Sequence, residues 1–151
     1  MSIPSKIPII RMEDEHTNFI GRVTDGRQFW GYQTFVFKRP YSEINKEEWQ
    51  QNRLEYLVLH TFDKTGNYLS SKHWFAGTTD QADQEKMYSK LEEWVEELGD
   101  IEFADIEVKL FQVTIDGITF GLVPDKETES IELQPSSTIS FQEPWDGEYY
   151  T

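Results

Sequence analysis

Glu92, Glu93, Glu96 and Glu97 stand close together in a segment patterned as a helix, and their spacing implies a chemistry of charge. Glu92 with Glu96 and Glu93 with Glu97 are like-charge pairs four residues apart, each costing an isolated helix about 0.2–0.5 kcal/mol. They also lie at the C-terminal end of that segment, where the helix dipole favours cations, and Lys90 alone offers local relief. Carboxylates gathered at a local cost suit the capture of a basic partner. The competing reading is a solvated acidic face, neutralised by Lys or Arg from a neighbouring strand. A second group is Trp145, Asp146, Glu148 and Tyr149 near the C-terminus, flanked by Glu143 and Tyr150. Large amphipathic rings set among acids have the composition of an interface that anchors with aromatics and steers with charge. Against it stands a tail that folds back, with Trp145 plugging the edge of a core.

The histidines offer less. In Glu13-Asp14-Glu15-His16 an extended chain would bring only Asp14 and His16 to one face, and two ligands do not make a metal site. His60 and His73 fall on the two strands of one expected hairpin and share a face only in an even-to-odd register. With Trp30, Tyr32 and Trp74 they define an alternative site: a concave sheet face that would take an apolar or aromatic ligand beside one titratable group. That alternative is a small-ligand-binding protein or an enzyme. Nucleophilic catalysis has no support, because Ser70-Ser71 and Ser136-Ser137 lie in no nucleophile elbow. The chain has no cysteine, which excludes disulfides, thiolate metal sites and cysteine nucleophiles. Its nine glycines fall at turns rather than in a phosphate loop. No cofactor and no metal is expected.

The formal charge of −14 is distributed very unevenly. Residues 1–90 carry twelve Lys/Arg and twelve Asp/Glu, whereas residues 91–151 carry sixteen acids against Lys109 and Lys126. One end or face is therefore strongly negative, suited to a basic protein and repelled by nucleic acid and anionic lipid. Ten Phe, seven Tyr and five Trp in 151 residues argue for a folded chain despite the polarity. A single domain over residues 1–151 is expected, with an acidic, aromatic C-terminal segment from about residue 124. The first residues are too quickly charged for a signal peptide, and no stretch approaches the ~20 apolar residues of a membrane span.

The elements that must position these residues follow from turn chemistry and periodicity. Asp25-Gly26 separates strands over 16–23 and 28–38, and Asp116-Gly117 separates strands over 107–115 and 118–123; Asp-Gly is the favoured two-residue hairpin turn. Asp63-Lys64-Thr65-Gly66 joins strands over 54–62 and 67–75. Residues 42–52, after Arg39-Pro40, suggest a short helix capped by Ser42. Met87, Leu91, Trp94, Val95 and Leu98 recur at three- and four-residue spacing and predict a helix over about 81–98, capped by Thr79 or Asp80 and ended by Gly99. Short strands over 130–133 and 136–141 complete the chain. The fold class is α+β: a mainly antiparallel sheet built from hairpins and packed by one long amphipathic helix.

In size, charge and composition the chain resembles bacterial immunity proteins, which cover the active sites of basic, often nuclease-type, toxins; no motif carries the resemblance. It implies a cytoplasmic binding protein for a basic partner, monomeric or homodimeric, with contacts at Glu92, Glu93, Glu96, Glu97, Trp145, Asp146, Glu148 and Tyr149.

Overall fold

The computed structural model describes residues 3–12 and 14–151. In chain order the elements are β1 (Lys6–Ile9), β2 (Phe19–Val23), β3 (Gln28–Phe37), α1 (Trp49–Asn52), β4 (Arg53–Phe62), β5 (Tyr68–Thr78) and α2 (Gln84–Glu96). There follow β6 (Ile101–Phe103), β7 (Ile106–Lys109), β8 (Phe111–Ile115), β9 (Ile118–Asp125), β10 (Ser130–Gln134) and β11 (Ser140–Phe141). A central antiparallel sheet has the order β5-β4-β3-β2-β6, a second sheet has the order β11-β10-β9-β8, and β1 pairs with β7. The fold is α+β with mainly antiparallel strands, as the periodicity implies.

The central sheet is covered on both faces. Successive strand residues point to opposite sides, so Phe29, Leu57 and Leu59 pack under α2 with Met87, Leu91, Trp94 and Val95. Trp30, Tyr32, Val58 and Phe62 point the other way and pack against Phe111, Phe120, Leu122, Ile131 and Phe141 of the second sheet. Double coverage explains why β4 is buried without interruption from Glu55 to Phe62. The helix packs closely on β3 at Gly31, where a Cβ would lie 2.7 Å from Leu91 Cδ1.

All three expected hairpins form. Asp116 and Gly117 both adopt positive φ, 54° and 76°, which is the twist that a two-residue hairpin requires. In the 63–66 loop the Asp63 carboxylate accepts from the Asn67 side chain and from the backbone N–H groups of Thr65 and Asn67, at 2.9 Å each. Those hydrogen bonds, the Asn67 side chain's first, hold its carboxyl well below the usual carboxylate range.

Several boundaries differ from the sequence-based expectation. α2 starts later, because Asp83 rather than Thr79 or Asp80 is its cap, its side chain accepting from Lys86 N at 3.1 Å. Thr79 instead bonds the Glu55 carboxylate. The single strand expected over 107–115 is two: burial alternates through Ile106 and Val108, then changes phase at Leu110 to Phe111 and Ile115. β7 therefore stays with β1 while β8 joins β9. The helix expected over 42–52 reduces to a 3₁₀ turn at Tyr41–Glu43 and the one-turn α1, and no Ser42 cap forms. The strand expected over 136–141 shortens to β11, since Ser137, with φ 56°, turns the chain. The strand β1 is additional to the expected elements; Pro8 is tolerated in this two-stranded pair, where an unpaired edge needs no N–H donor. β6, a three-residue strand separated from the end of α2 by four residues, is also additional.

Candidate protein-interaction surface

With 3.6 residues per turn, the polar residues of α2 fall into two rows on either side of its buried stripe. Lys86, Lys90, Glu93 and Glu97 form the row toward β5. Glu85, Tyr88, Glu92 and Glu96 form the row toward β2 and β6. The first row balances two lysines against two glutamates, whereas the second carries three glutamates and no cation.

The row toward β5 carries its own lysines and gains a further cation from β5. Lys72 of β5 places its ammonium 2.8 Å from Glu97 Oε2 and 5.3 Å from the centre of the Trp94 ring. Lys86 and Lys90 lie 5.5 and 4.9 Å from the Trp74 ring, a cation–π arrangement that keeps their charge on this side of the helix. For Glu97 the structure thus supplies the neighbouring-strand cation that the sequence left open.

The opposite row has no such relief. Among the described residues no Lys or Arg pairs with Glu85, Glu92 or Glu96. Between them Tyr88 is 51% exposed and rests on Phe19 of β2, ring centres 5.4 Å apart. Phe19 in turn meets Phe103 of β6 at 6.1 Å, and Phe103 is 43% exposed. Arg11 stands 4.8 Å over Phe103 and marks the edge of the patch. Beside Tyr88 a hollow of about 270 Å³ opens between α2 and the sheet, with Phe19, Leu57, Met87 and Leu91 lining it and Gln33 and Gln84 among its polar residues. Exposed rings, an apolar hollow and unpaired carboxylates are together on one flank.

The second predicted group is elsewhere and partly spent on packing. Tyr149 is buried, its ring 6.1 Å from Phe141 and 5.6 Å from His16, and its hydroxyl donates to the Asp14 carboxylate. Trp145 is half-buried against the core between the sheets. Asp146 and Glu148 are exposed, and the Asp146 carboxylate accepts from Glu148 N at 3.1 Å. This segment belongs to the core opposite α2, so the fold does not bring the two groups together.

The alternative aromatic pocket is filled. Trp30, Tyr32 and His60 are at most 1% exposed, inside the core between the sheets. The register pairs His60 with Ser71 and His73 with Val58, so both histidines do share a face, but His73 is exposed beyond the core. Trp74 faces the other way, under α2. His60 belongs to a buried hydrogen-bonded chain instead. Tyr32 O–H donates to Gln134 O at 3.4 Å and lies 2.9 Å from His60 Nε2, while His60 Nδ1 lies 2.5 Å from Ser71 Oγ and Ser71 Oγ 2.7 Å from the Tyr68 hydroxyl. The directions agree when Nε2 carries the proton and Ser71 donates to Nδ1. Burial pushes the imidazole down to about 3 and the Tyr32 phenol up, so near neutrality this chain holds its protons in place and does not act as a base.

Of the sequence Glu13–His16, Glu13 lies outside the described residues. Asp14 and His16 meet in a turn, with His16 N donating to Asp14 Oδ1 at 3.0 Å; among the described residues no three metal-ligating side chains gather. A polar hollow of about 210 Å³, with His16, Gln33, Arg53, Glu55 and Thr138 in its lining, sits beside the buried Arg53–Glu55 pair. Glu55, 1% exposed, accepts from Arg53 Nε at 2.7 Å and from Thr79 at 2.6 Å. No helix among the described residues is long and apolar enough to cross a membrane. Comparison with protein-family models, curated proteins and solved structures finds no match to this chain.

Sequence reasoning singled out Glu92 and Glu96 but missed Tyr88 and Phe103. The signal for Tyr88 was present: it lies four residues before Glu92, on the polar border of the helix. Phe103 had none, because nothing local predicts β6.

Proposed function

We propose that this is a small acidic binding module whose α2–β6 flank docks on a basic partner protein. The observation that carries the reading is the asymmetry of α2. One row sets Lys86 and Lys90 among its acids and pairs Glu97 with Lys72, while the other leaves Glu85, Glu92 and Glu96 unpaired beside exposed Tyr88 and Phe103. Tyr is among the residues that most often anchor interfaces, and unpaired rim acids steer a cationic partner toward them. Glu93, with Asp146 and Glu148 on the far side of the molecule, extends the negative field that a basic protein meets on approach. In biological terms the reading is an inhibitor of the bacterial immunity type, cytoplasmic, that covers a basic nuclease-type toxin. It requires no cofactor and no reaction by this chain.

The test is affinity capture from the native host's lysate at low salt, eluted with a salt gradient. The reading predicts one basic protein, retained in stoichiometric amount and released over a narrow salt window, since charge-steered contacts weaken as the Debye length shrinks. Retention of no basic protein, or release that does not depend on salt, contradicts it.

A further inference from the structure

The edge strand β5 is open. It closes one side of the central sheet, bonds β4 along its inner side and, among the described residues, has no strand on its outer side. Between the register shifts at Glu55/Tyr56 and Thr61/Phe62, the segment Ser70–Phe75 is regular. Natural sheets guard such an edge with proline, with an outward-pointing charge, or with a covering element. β5 contains no proline. Its one charged residue, Lys72, is folded back onto Glu97 and Trp94 of α2. Leu69 and Phe75 are 50% and 45% exposed.

We infer that a second copy of this chain docks on this edge, β5 against β5 about a two-fold axis, joining the two central sheets into one. Two features of the chain select a second copy as the occupant. First, the strand can face its own image without a charge clash. Antiparallel partners share a face, and along β5 Lys72 and Trp74 point to α2 whereas Ser71, His73 and Phe75 point to the second sheet. The axis must therefore pass through a residue, not between two. Through Lys72 it would set two ammonium groups opposite each other. Through His73 it sets Lys72 opposite Trp74 of the second copy and Ser71 opposite Phe75, so that no like charges meet.

Second, the flank of α2 that faces the seam is self-complementary in charge. Lys86 and Lys90 occupy its first half, Glu93 and Glu97 its second. A two-fold axis runs the two helices antiparallel, so each basic half faces the other copy's acidic half. The opposite flank, with Glu85, Glu92 and Glu96, would repel its own image and is left outward. The dimer thus presents two acidic flanks at its two ends.

Sedimentation from low to high micromolar concentration tests this on the full chain. A monomer–dimer equilibrium is expected. His73→Lys, at an exposed position on the axis, should weaken it roughly tenfold or more, because like charges directly opposite in a sheet are destabilising, with an unchanged circular dichroism spectrum. The chain has no cysteine, so His73→Cys provides a clean second readout. Directly opposed Cβ atoms are about 4.5–5.5 Å apart, a small adjustment from a disulfide's roughly 3.5–4.5 Å, and mild oxidation should yield a covalent dimer where Ser137→Cys yields none. Monomer at every concentration, a dimer indifferent to His73→Lys, or failure of His73→Cys to cross-link would overturn the proposal.

Discussion

His60 holds its neighbours only as a neutral imidazole, and that makes stability depend on pH in a definite direction. Burial lowers its folded value from 6.5 to about 3, so below pH 6.5 the unfolded chain takes up a proton that the folded chain refuses. Stability from this group is complete above 6.5 and is lost as the pH falls from 6.5 toward 3. Between pH 6.5 and 5 the loss should be on the order of 2 kcal/mol in urea unfolding. His60→Gln should be less stable at pH 7 but lack that component of the slope; an equal slope in both proteins would refute the assignment. The Arg53–Glu55 pair makes a second case. Arg53→Ala leaves a carboxylate buried with only Thr79 and Gln33, and should cost about 3–5 kcal/mol in the same measurement. Neither role was legible in the sequence. Both residues lie in a strand whose apolar alternation is masked by burial on its two faces, and only the register shows which side chains meet.

At the scale of elements, periodicity was a good guide wherever one face of an element is buried. Met87, Leu91, Trp94 and Val95 mark the buried stripe of α2, and Asp-Gly turns mark two hairpins, because these signals are local. The start of α2 differs from the expectation because Thr79 and Asp80 are also capping residue types; the choice is made by tertiary contacts, with Thr79 drawn to Glu55. Asp83→Ala should therefore cost about 1 kcal/mol, whereas Asp80→Ala, outside the helix, should cost much less; thermal unfolding of the two variants decides between the caps. β1, β6 and the break at Leu110 escaped notice because each depends on partners distant in sequence. The same limit applies to the candidate site. The acids of α2 were visible, but their division into a balanced and an unpaired row is set by Lys72, Trp74, Phe19 and Phe103 on strands that the sequence alone does not place beside them.

For the whole molecule, the acids that crowd the end of the sequence are divided between the α2 flank and the far side, where Asp146 and Glu148 are exposed. The surface around Lys72, Lys86 and Lys90 is close to balanced and lies against the open β5 edge, while the flank beyond α2 carries unpaired acids and exposed rings. Trp145 and Tyr149, which in sequence had the composition of interface anchors, are committed instead to the core between the sheets. The acidic helix flank is therefore the surface on which the binding account rests. Its most direct test is the affinity of the captured basic protein for three forms of the chain: wild type, Glu92→Lys/Glu96→Lys, and Glu47→Lys/Glu48→Lys, the last changing net charge equally at exposed positions before α1. The account predicts that reversal on the α2 flank weakens binding roughly tenfold or more beyond the effect of the control pair, with both variants folded. Equal affinities for the two variants would contradict it.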